Sequence, residues 1–157
     1  MKRALLFAVS LLAPLAFPAD HRADVASIDA IINAYYEVVS GPAGVVPDVG
    51  RDRHLHHPEH WIAIARRVAD GTRVLDVQTL DDYHGENPQP REQAFYEWET
   101  DRVAQRFGDV AHVWSSYVSA RSRGGEPFDH GVNSISLWFD GDRWWIMNWM
   151  FDASAEP

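Results

Sequence analysis

The second half of this chain alternates apolar with polar residues, and this period of two constrains the fold more than any other feature of the sequence. Alternation at that period is typical of a β-strand with one buried face. Turn residues interrupt it three times. Asp140-Gly141 is the strongest of these breaks, because the pair is favoured in the tight turns of β-hairpins. The pattern predicts four consecutive antiparallel strands, at residues 94–106, 110–121, 131–139 and 143–151.

The beginning of the preceding segment has a helical period instead. An amphipathic helix is predicted from apolar residues spaced by three and four, namely Val25, Ile28, Ile32, Tyr35 and Val39. Asp24 is the expected N-cap, and Gly41-Pro42 is a stop signal.

Shorter elements are predicted between this helix and the strand meander. Residues 51–57 indicate a second helix, and residues 61–66 and 73–78 indicate two short strands. After Thr79 only a turn or two of helix is expected, since two prolines follow. Helices followed by a meander predict an α+β fold, with N-terminal helices packed on a curved, mostly antiparallel sheet.

The first nineteen residues have the order of a secretory signal peptide. Lys2 and Arg3 precede an apolar run over residues 4–17, which is too short for a comfortable membrane span, and small residues follow. We therefore predict a leader at 1–19, a single domain at 20–157 and a periplasmic or secreted protein without stable membrane insertion after export. An uncleaved anchor is the alternative.

Charge and cysteine content exclude several classes of function. The formal net charge is −9 and no basic cluster offsets it, so a nucleic-acid partner is not expected. The chain contains no cysteine, which excludes thiol catalysis and thiolate metal sites.

The last predicted strand is apolar on both faces, whereas a sheet with one face in water should alternate apolar with polar residues. Simple alternation would place Trp144, Ile146, Asn148 and Met150 on one face, and Trp145, Met147, Trp149 and Phe151 on the other. Both faces then need covering, and we predict a homodimer through one of them. Coverage by the C-terminal tail or a long loop is the alternative.

Three strings of the sequence resemble the nuclear transport factor 2-like superfamily, in particular a bacterial branch whose members mostly have no assigned activity. They are residues 35–42 (YYEVVSGP), residues 106–115 (RFGDVAHVWS), and residues 131–137 with 140–146 (GVNSISL and DGDRWWI). The resemblance spans about residues 24–152. It implies a cone-shaped fold, with three helices against a strongly curved sheet, a pocket at the wide end and, commonly, a dimer.

This superfamily includes isomerases, cyclases, dehydratases and non-catalytic binding domains, so the resemblance alone does not assign a function. The ketosteroid isomerase-like members need a tyrosine, a carboxylate base and a neutral aspartic acid. Tyr35 falls near the place of the tyrosine, but the other two positions correspond to Ala63 or Ile64 and to Ile135. The resemblance therefore does not support isomerase activity of that type.

Five residues are candidates for ligand binding: Tyr35, Trp61, Glu97, Asn133 and Asn148. Tyr35 lies on the inward stripe of the first helix, and the two asparagines lie in apolar strands, where a buried amide needs hydrogen-bond partners. Those partners could belong to a ligand or to the protein itself. We expect Tyr35, Asn133 and Asn148 to converge in the pocket, with Trp61 at its rim. Glu97 is a candidate acid or base, or simply part of a solvated strand face.

Histidines are concentrated between residues 54 and 60, at His54, His56, His57 and His60, with Glu59 among them. Their spacing matches no standard metal site, so we predict solvated loop histidines and no metal. No phosphate-binding loop or hydrolase motif occurs, and no cofactor is predicted.

These observations predict an exported domain that binds a small apolar or planar molecule. One alternative is an isomerase, lyase or cyclase acting in the pocket, with Tyr35 and either Glu97 or a histidine as base. The other is a structural or accessory domain whose own aromatic side chains fill the pocket.

Overall fold

A computed structural model of the chain describes residues 20–152, so the predicted leader at 1–19 lies outside the described residues. Within them, a 3-10 turn at Arg22–Val25 precedes three helices and six strands. The helices are α1 (Ile28–Val39), α2 (Val49–Leu55) and α3 (Leu80–His84). The strands are β1 (His56–Arg67), β2 (Arg73–Gln78), β3 (Tyr96–Phe107), β4 (Val110–Ala120), β5 (Pro127–Phe139) and β6 (Trp144–Asp152). No helix among the described residues is long and apolar enough to cross a bilayer.

The predicted helices exist, but local hydrogen bonds move their ends. Helix α1 begins after Ser27, whose hydroxyl accepts a hydrogen bond from the Ala30 N–H at 3.1 Å. Asp24 is therefore not its N-cap. That carboxylate instead accepts a hydrogen bond from Arg51 at 2.7 Å, which joins the chain before α1 to helix α2. Helix α2 starts earlier than predicted, because the Asp48 side chain caps it.

The six strands form one sheet in the order β2-β1-β6-β5-β4-β3. Strands β1 and β6 are parallel, and every other neighbouring pair is antiparallel. The mostly antiparallel α+β architecture predicted from the sequence is confirmed. Helix α1 packs on the inner face of the sheet, where Ile31, Ile32 and Tyr35 join a core with Ile62, Val113, Ile135 and Trp149.

The last strand departs from simple alternation, and the prediction of its two faces is wrong. Ser136 pairs with Asn148 but Leu137 pairs with Ile146, so Met147 is an extra residue in a β-bulge. The bulge turns Trp149 to the same face as Ile146, where it is buried, and it turns Asn148 to the outer face. One strand thus supplies Trp144, Ile146 and Trp149 to a single core.

The outer face of the sheet is also rich in large apolar side chains, but these are exposed. Trp114 and Met150 flank Ser134 in the register of three neighbouring strands, and both are more than a third exposed. Other exposed apolar residues on this outer face are Trp61, Leu75, Val77, Val103, Phe107, Val110 and Trp138.

Candidate functional site

A cavity of about 570 Å³ opens beside the C-terminal half of α1, and the segment between α3 and β3 forms much of its wall. Prolines keep this segment extended, and backbone hydrogen bonds hold it against the loop after α1. Gly41 and Phe95 exchange two such bonds, and the Arg91 N–H donates to Val45. The cavity is lined by apolar side chains including Val38, Val39 and Phe95, and by the polar side chains of Asp52, His84, Arg91 and Arg121.

Asp52, on helix α2, is the most buried acid of the site, at 4% exposure. One carboxylate oxygen, Oδ2, accepts a hydrogen bond from His84 Nε2 at 2.8 Å. The other, Oδ1, lies 3.3 Å from His56 Nδ1 but has no hydrogen bond among the described residues. Burial by itself would raise the pKa of Asp52, but interactions with His56 and His84 outweigh it and lower this pKa to about 2. Asp52 is therefore a buried carboxylate ion at neutral pH.

The protonation of His56 follows from its two neighbours. The indole N–H of Trp149 donates to His56 Nε2 at 3.1 Å, and an indole nitrogen cannot accept a hydrogen bond. His56 Nε2 must then carry a lone pair, and the ring proton resides on Nδ1. That N–H faces the backbone carbonyl of Asp52 at 2.9 Å. His56 thus links Trp149 of the core to helix α2.

His84, at the end of α3, is placed differently. Its Nε2 must donate to Asp52, because an ionised carboxylate only accepts hydrogen bonds. The ring is fixed further by edge-on contact with Tyr83, at 5.3 Å between centroids. Its Nδ1 has no hydrogen bond among residues 20–152, and it is not among the fully buried atoms that lack a partner. The side chain of His84 is 9% exposed, and the residue lines the cavity.

Arg91 is the cation of the same wall. Its Nη2 donates to the carbonyls of Val38 and Val39, both at 3.1 Å, near the C-terminal end of α1. No carboxylate within residues 20–152 forms an ion pair with it. Burial lowers the pKa of Arg91, which remains a cation at any physiological pH.

Glu97, on strand β3, occupies a second polar cluster under the same helices. Its carboxyl group accepts hydrogen bonds from Ser119 at 3.1 Å and from the Asn133 amide at 3.4 Å. Burial raises the pKa of Glu97 to about 7, and these two hydrogen bonds only partly offset the effect. Asn133 also donates to the Tyr36 hydroxyl, which pairs with Ser115 at 2.6 Å.

Tyr35 lies between the two clusters. Its ring makes an edge contact with Trp149, with 5.8 Å between ring centroids. The residue is 3% exposed, yet its hydroxyl forms no hydrogen bond with any described residue. Burial is the main cause that raises the pKa of Tyr35, and the charges of Glu97 and Asp52 add to it. The hydroxyl is therefore a neutral donor.

The structure brings together only part of the predicted set. Tyr35, Glu97 and Asn133 share the inner side of the sheet, although the hydroxyl that bonds Asn133 belongs to Tyr36 rather than Tyr35. Asn148 and Trp61 are paired neighbours on the outer face, so the predicted convergence of Asn148 with Tyr35 and Asn133, and of Trp61 at the same rim, is wrong. The bulge at Met147 is the physical reason for the outward position of Asn148.

The histidines of residues 54–60 diverge to separate partners. His54 lies against Arg143, whereas His57 contacts the edges of Trp138 and Trp145. His60 accepts the Leu80 N–H, and His56 belongs to the Asp52 cluster. Among the described residues, no group of three His, Cys, Asp or Glu side chains is arranged to hold a metal ion. His56 and His60 are mostly buried and are structural, which corrects the interpretation of the whole group as solvated loop residues.

Sequence reasoning missed Asp52, His84 and Arg91. The i, i+4 spacing of Asp52 and His56 is visible in the sequence, but His84 lies 32 residues from its partner. Only the fold of β1 and β2 brings α3 back beside α2.

No protein-family profile matches this chain, and no curated protein matches it significantly. Several solved structures do match this chain. A protein from Novosphingobium aromaticivorans, described as the β subunit of an aromatic-ring-hydroxylating dioxygenase, aligns with a TM-score of 0.53 at 14% identity, over 84% of this chain and 90% of its own. The Kfla4162 protein from Kribbella flavida aligns with a TM-score of 0.50 at 14% identity, over 83% and 90%.

An NTF2-like protein of unknown function from Methylobacillus flagellatus has 18% identity over 82% of this chain and 95% of its own, with a TM-score of 0.46. At these identities the likeness concerns the fold alone. The packing of helices α1–α3 on one face of a six-stranded, mostly antiparallel sheet is an α+β fold that this chain shares with the Novosphingobium aromaticivorans and Kribbella flavida proteins. This fold agrees with the nuclear transport factor 2-like architecture that the resemblance in its sequence implies.

Proposed function

We propose that this protein binds a small, partly apolar molecule in the cavity beside α1. The observation that supports this most directly is a 570 Å³ cavity lined by His84 and Arg91, each of which has one nitrogen hydrogen-bonded and others without a hydrogen bond among the described residues. Natural ligand sites combine an apolar lining with a few such groups. Val38, Val39 and Phe95 provide the apolar part, and His84 and Arg91 provide the polar part.

Filling the cavity tests this proposal. Val39→Trp adds bulk to the cavity wall, and Val77→Trp is the matched control on the exposed outer face. Native mass spectrometry of protein purified from its own organism measures any small molecule that is retained. We expect a retained molecule in the wild type and in Val77→Trp, and its loss in Val39→Trp with unchanged circular dichroism. Equal retention by both variants would contradict binding in this cavity.

An enzyme is the second candidate, because two acid–base groups lie in or near the cavity. The Nε2 atom of His84 is hydrogen-bonded to the Asp52 carboxylate, and its Nδ1 atom has no hydrogen bond among the described residues. Glu97 has a pKa of about 7, which suits proton transfer near neutral pH. Isomerase or lyase chemistry therefore stands as the alternative to simple binding. A structural domain with a self-filled pocket is less well supported, since the cavity is large enough for a small molecule.

Export and dimerisation are parts of the same proposal. The leader-like residues 1–19 support export, and fractionation of a C-terminally tagged full-length chain measures it; tagged protein confined to the cytoplasm would contradict it.

The outer sheet face supports a homodimer, because exposed apolar surface on this scale usually marks an interface. Trp149 is a core residue, so the substitution that tests this interface is Trp114→Glu on the outer face, compared with Asn33→Glu at an exposed position of helix α1. Sedimentation analysis should give a monomer for the first and a dimer for the second. A dimer in both would exclude the outer face.

A further inference from the structure

His60, on strand β1, holds the beginning of helix α3 through one hydrogen bond. Its Nε2 accepts the backbone N–H of Leu80, the first residue of α3, at 2.8 Å. A backbone N–H only donates, so Nε2 carries a lone pair and the ring proton resides on Nδ1. That Nδ1–H donates to the carbonyl of His57 at 2.7 Å. Both ring nitrogens are therefore engaged, and only the neutral ring with its proton on Nδ1 satisfies both contacts.

Protonation of His60 removes one of these two contacts. An imidazolium ion has N–H donors at both nitrogens and cannot accept a hydrogen bond. Its Nε2–H would face the Leu80 N–H, and two donors that face each other repel. Leu80 has no alternative acceptor within α3, because the first N–H groups of a helix have no intrahelical partner. Acid therefore breaks the attachment of the first turn of α3 to β1.

The surroundings of His60 decide how readily it takes up a proton. The residue is partly exposed, and it lines a second cavity of about 370 Å³. Charged and titratable groups surround the ring from three elements, namely Asp52 and Arg53 on α2, His56 and His57 on β1, and Asp81 on α3. Burial is the largest influence and lowers the pKa of His60 from the ordinary value of 6.5; His56 adds to the decrease, and Asp52 and Asp81 oppose it. A His60 ring released into water has the ordinary pKa, so acid favours the released form.

Helix α3 is short, and its other polar attachments persist in mild acid. It has only five residues, so it needs contacts with the rest of the fold to stay docked. At its C-terminal end, His84 Nε2 donates to Asp52 at 2.8 Å, and a further proton on Nδ1 leaves this bond in place. Asp81 forms an exposed ion pair with α2, and a carboxylate of this kind titrates only near pH 4. The contact between His60 and Leu80 is therefore the one that mild acid removes.

The first turn of α3 is connected to the cavity beside α1 through Tyr83. Leu80 and Tyr83 are three residues apart, so they project from the same side of the helix. Leu80 is buried in the core at 1% exposure. Tyr83 lines the cavity and contacts the Trp149 ring edge-on, with 5.7 Å between ring centroids. A capping box between Thr79 and Asp82 keeps the turn intact as a unit. A displacement of Leu80 from β1 therefore carries Tyr83 with it.

We propose that protonation of His60 releases the first turn of α3 from strand β1, displaces Tyr83 from the cavity wall and so opens the cavity in acid. This inference rests on the proposed binding function and adds the control of that site by pH. The reaction is the uptake of one proton from water at His60 Nε2, and it reverses when the pH rises. An exported protein is exposed to the pH of its medium, so a bound molecule would be released where the medium is acidic.

Amide hydrogen exchange at Leu80 tests the attachment directly, because this N–H has no acceptor other than His60 among the described residues. NMR of the full-length protein follows it between pH 8 and pH 4.5. We expect the protection factor to fall about tenfold in acid, as for the loss of one hydrogen bond, with a midpoint below pH 6.5. The ¹⁵N shifts of the His60 ring should report loss of the Nδ1–H tautomer at the same midpoint. Global stability is unsuitable as a measure, because ionisation of Glu97 changes it with the opposite sign over the same range.

Two substitutions at His60 separate protonation from packing. His60→Gln places an amide oxygen, which accepts a hydrogen bond but does not titrate, near the position of Nε2, so protection of Leu80 should stay within about twofold across the pH range. His60→Phe has no acceptor, and protection should be low at every pH. His130→Gln, at an exposed position of β5, is the matched control and should behave as the wild type. If neither His60 variant folds, the two wild-type midpoints still decide: agreement supports the inference, and disagreement overturns it.

Opening of the cavity is measured with a thiol reagent, since the chain contains no cysteine. Val39→Cys places a thiol in the cavity wall, and Val77→Cys places one on the exposed outer face as the control. The ratio of their reaction rates with 4,4′-dithiodipyridine corrects for the effect of pH on thiol reactivity. We expect this ratio to rise about fivefold or more from pH 7.5 to pH 5, because local opening exposes the cavity wall, and to stay constant when His60→Gln is added.

The outcomes separate this inference from the proposed function. Leu80 protection that does not change with pH would overturn the inference and leave the binding function intact. Protection that falls while the thiol ratio stays constant would overturn the control of the cavity by His60. Absence of a retained molecule in the cavity-filling experiment would contradict the binding function, whereas Leu80 exchange and thiol reactivity would still decide the response to acid.

Discussion

Asp52 and Glu97 both place a carboxyl group between the helices and the sheet, but their surroundings hold them in different states. Asp52 interacts with two histidines, and these interactions lower its pKa to about 2 in spite of burial. Glu97 accepts hydrogen bonds only from the hydroxyl of Ser119 and the amide of Asn133. Burial is therefore the largest influence on its pKa, which rises to about 7. Burial alone therefore does not decide the charge of a carboxyl group; the donors that accompany it do.

The comparison has a consequence for stability. A carboxyl group whose native hydrogen bonds and ion pairs favour the ionised form stabilises the fold when it is ionised. A carboxyl group whose burial is poorly compensated destabilises the fold once it ionises. Replacing each acid by its amide should therefore have opposite effects at neutral pH.

The largest effect is expected for Asp52→Asn, which removes the charge and directs an amide N–H toward the N–H of His56 or His84. Hydrogen bonds to charged groups contribute about 1.5–3 kcal/mol each, so we expect the free energy of unfolding at pH 7 to fall by about 3 kcal/mol. Urea unfolding with an unchanged m-value measures it. Glu97→Gln is the matched control and should not lower stability. A loss in Glu97→Gln as large as that in Asp52→Asn would contradict the comparison.

The strands that carry these groups were predictable from the sequence because alternation is a local property. Strand β2 matches its predicted range, and β3–β6 differ from theirs by a few residues at their ends. The bulge at Met147 was not predictable, since it depends on pairing with Leu137 and on the burial of Trp149. That single extra residue moved Asn148 out of the predicted pocket.

The site was partly predictable for the same reason. Glu97 was identified as a candidate acid or base on the face of a predicted strand, and Tyr35 was identified because it lies on the inward stripe of a helix. The Asp52–His84 pair joins residues that are distant in sequence, through α3, whose position depends on the turn between β1 and β2. Periodicity carries no information on such a contact.

The next largest effect is the pH dependence that Glu97 imposes. Its pKa is 4.5 in an unfolded chain and about 7 in the fold, so the native state binds the proton more tightly. The stabilising contribution of Glu97 should be fully present below pH 4.5 and should be lost as the pH rises toward 7. We expect a decrease of about 2 kcal/mol, allowing for partial exposure of the group.

Asp52 acts at lower pH and with the opposite sign. Its lowered pKa stabilises the fold above pH 3.8, and this contribution is lost as the pH falls toward 2. Urea midpoints between pH 4 and 8 isolate the Glu97 effect. Glu97→Gln should remove the decline across that range, while the exposed acid replacement Glu59→Gln should retain it. A decline that persists in Glu97→Gln would assign it to another group.

The smallest effect concerns two adjacent tyrosines of helix α1, whose hydroxyls differ in their partners. The Tyr36 hydroxyl bonds Ser115 at 2.6 Å and accepts from Asn133. The Tyr35 hydroxyl has no hydrogen bond among the described residues. Tyr36→Phe should therefore lower the free energy of unfolding by about 1 kcal/mol, and Tyr35→Phe should change it by less than about 0.5 kcal/mol. Urea unfolding of both variants at pH 7 measures the difference.

Ligand retention tests the predicted role of Tyr35 in binding, because its hydroxyl has no hydrogen bond among the described residues, although Tyr35 itself is not among the residues that line the 570 Å³ cavity. Native mass spectrometry of Tyr35→Phe should show less retained small molecule than the wild type, since one hydrogen bond to the molecule is lost while the ring still contacts Trp149. Tyr36→Phe should lose stability and keep the molecule. If Tyr35→Phe instead lowers stability as much as Tyr36→Phe and leaves retention unchanged, the Tyr35 hydroxyl serves the fold, and the predicted role of Tyr35 in binding is wrong.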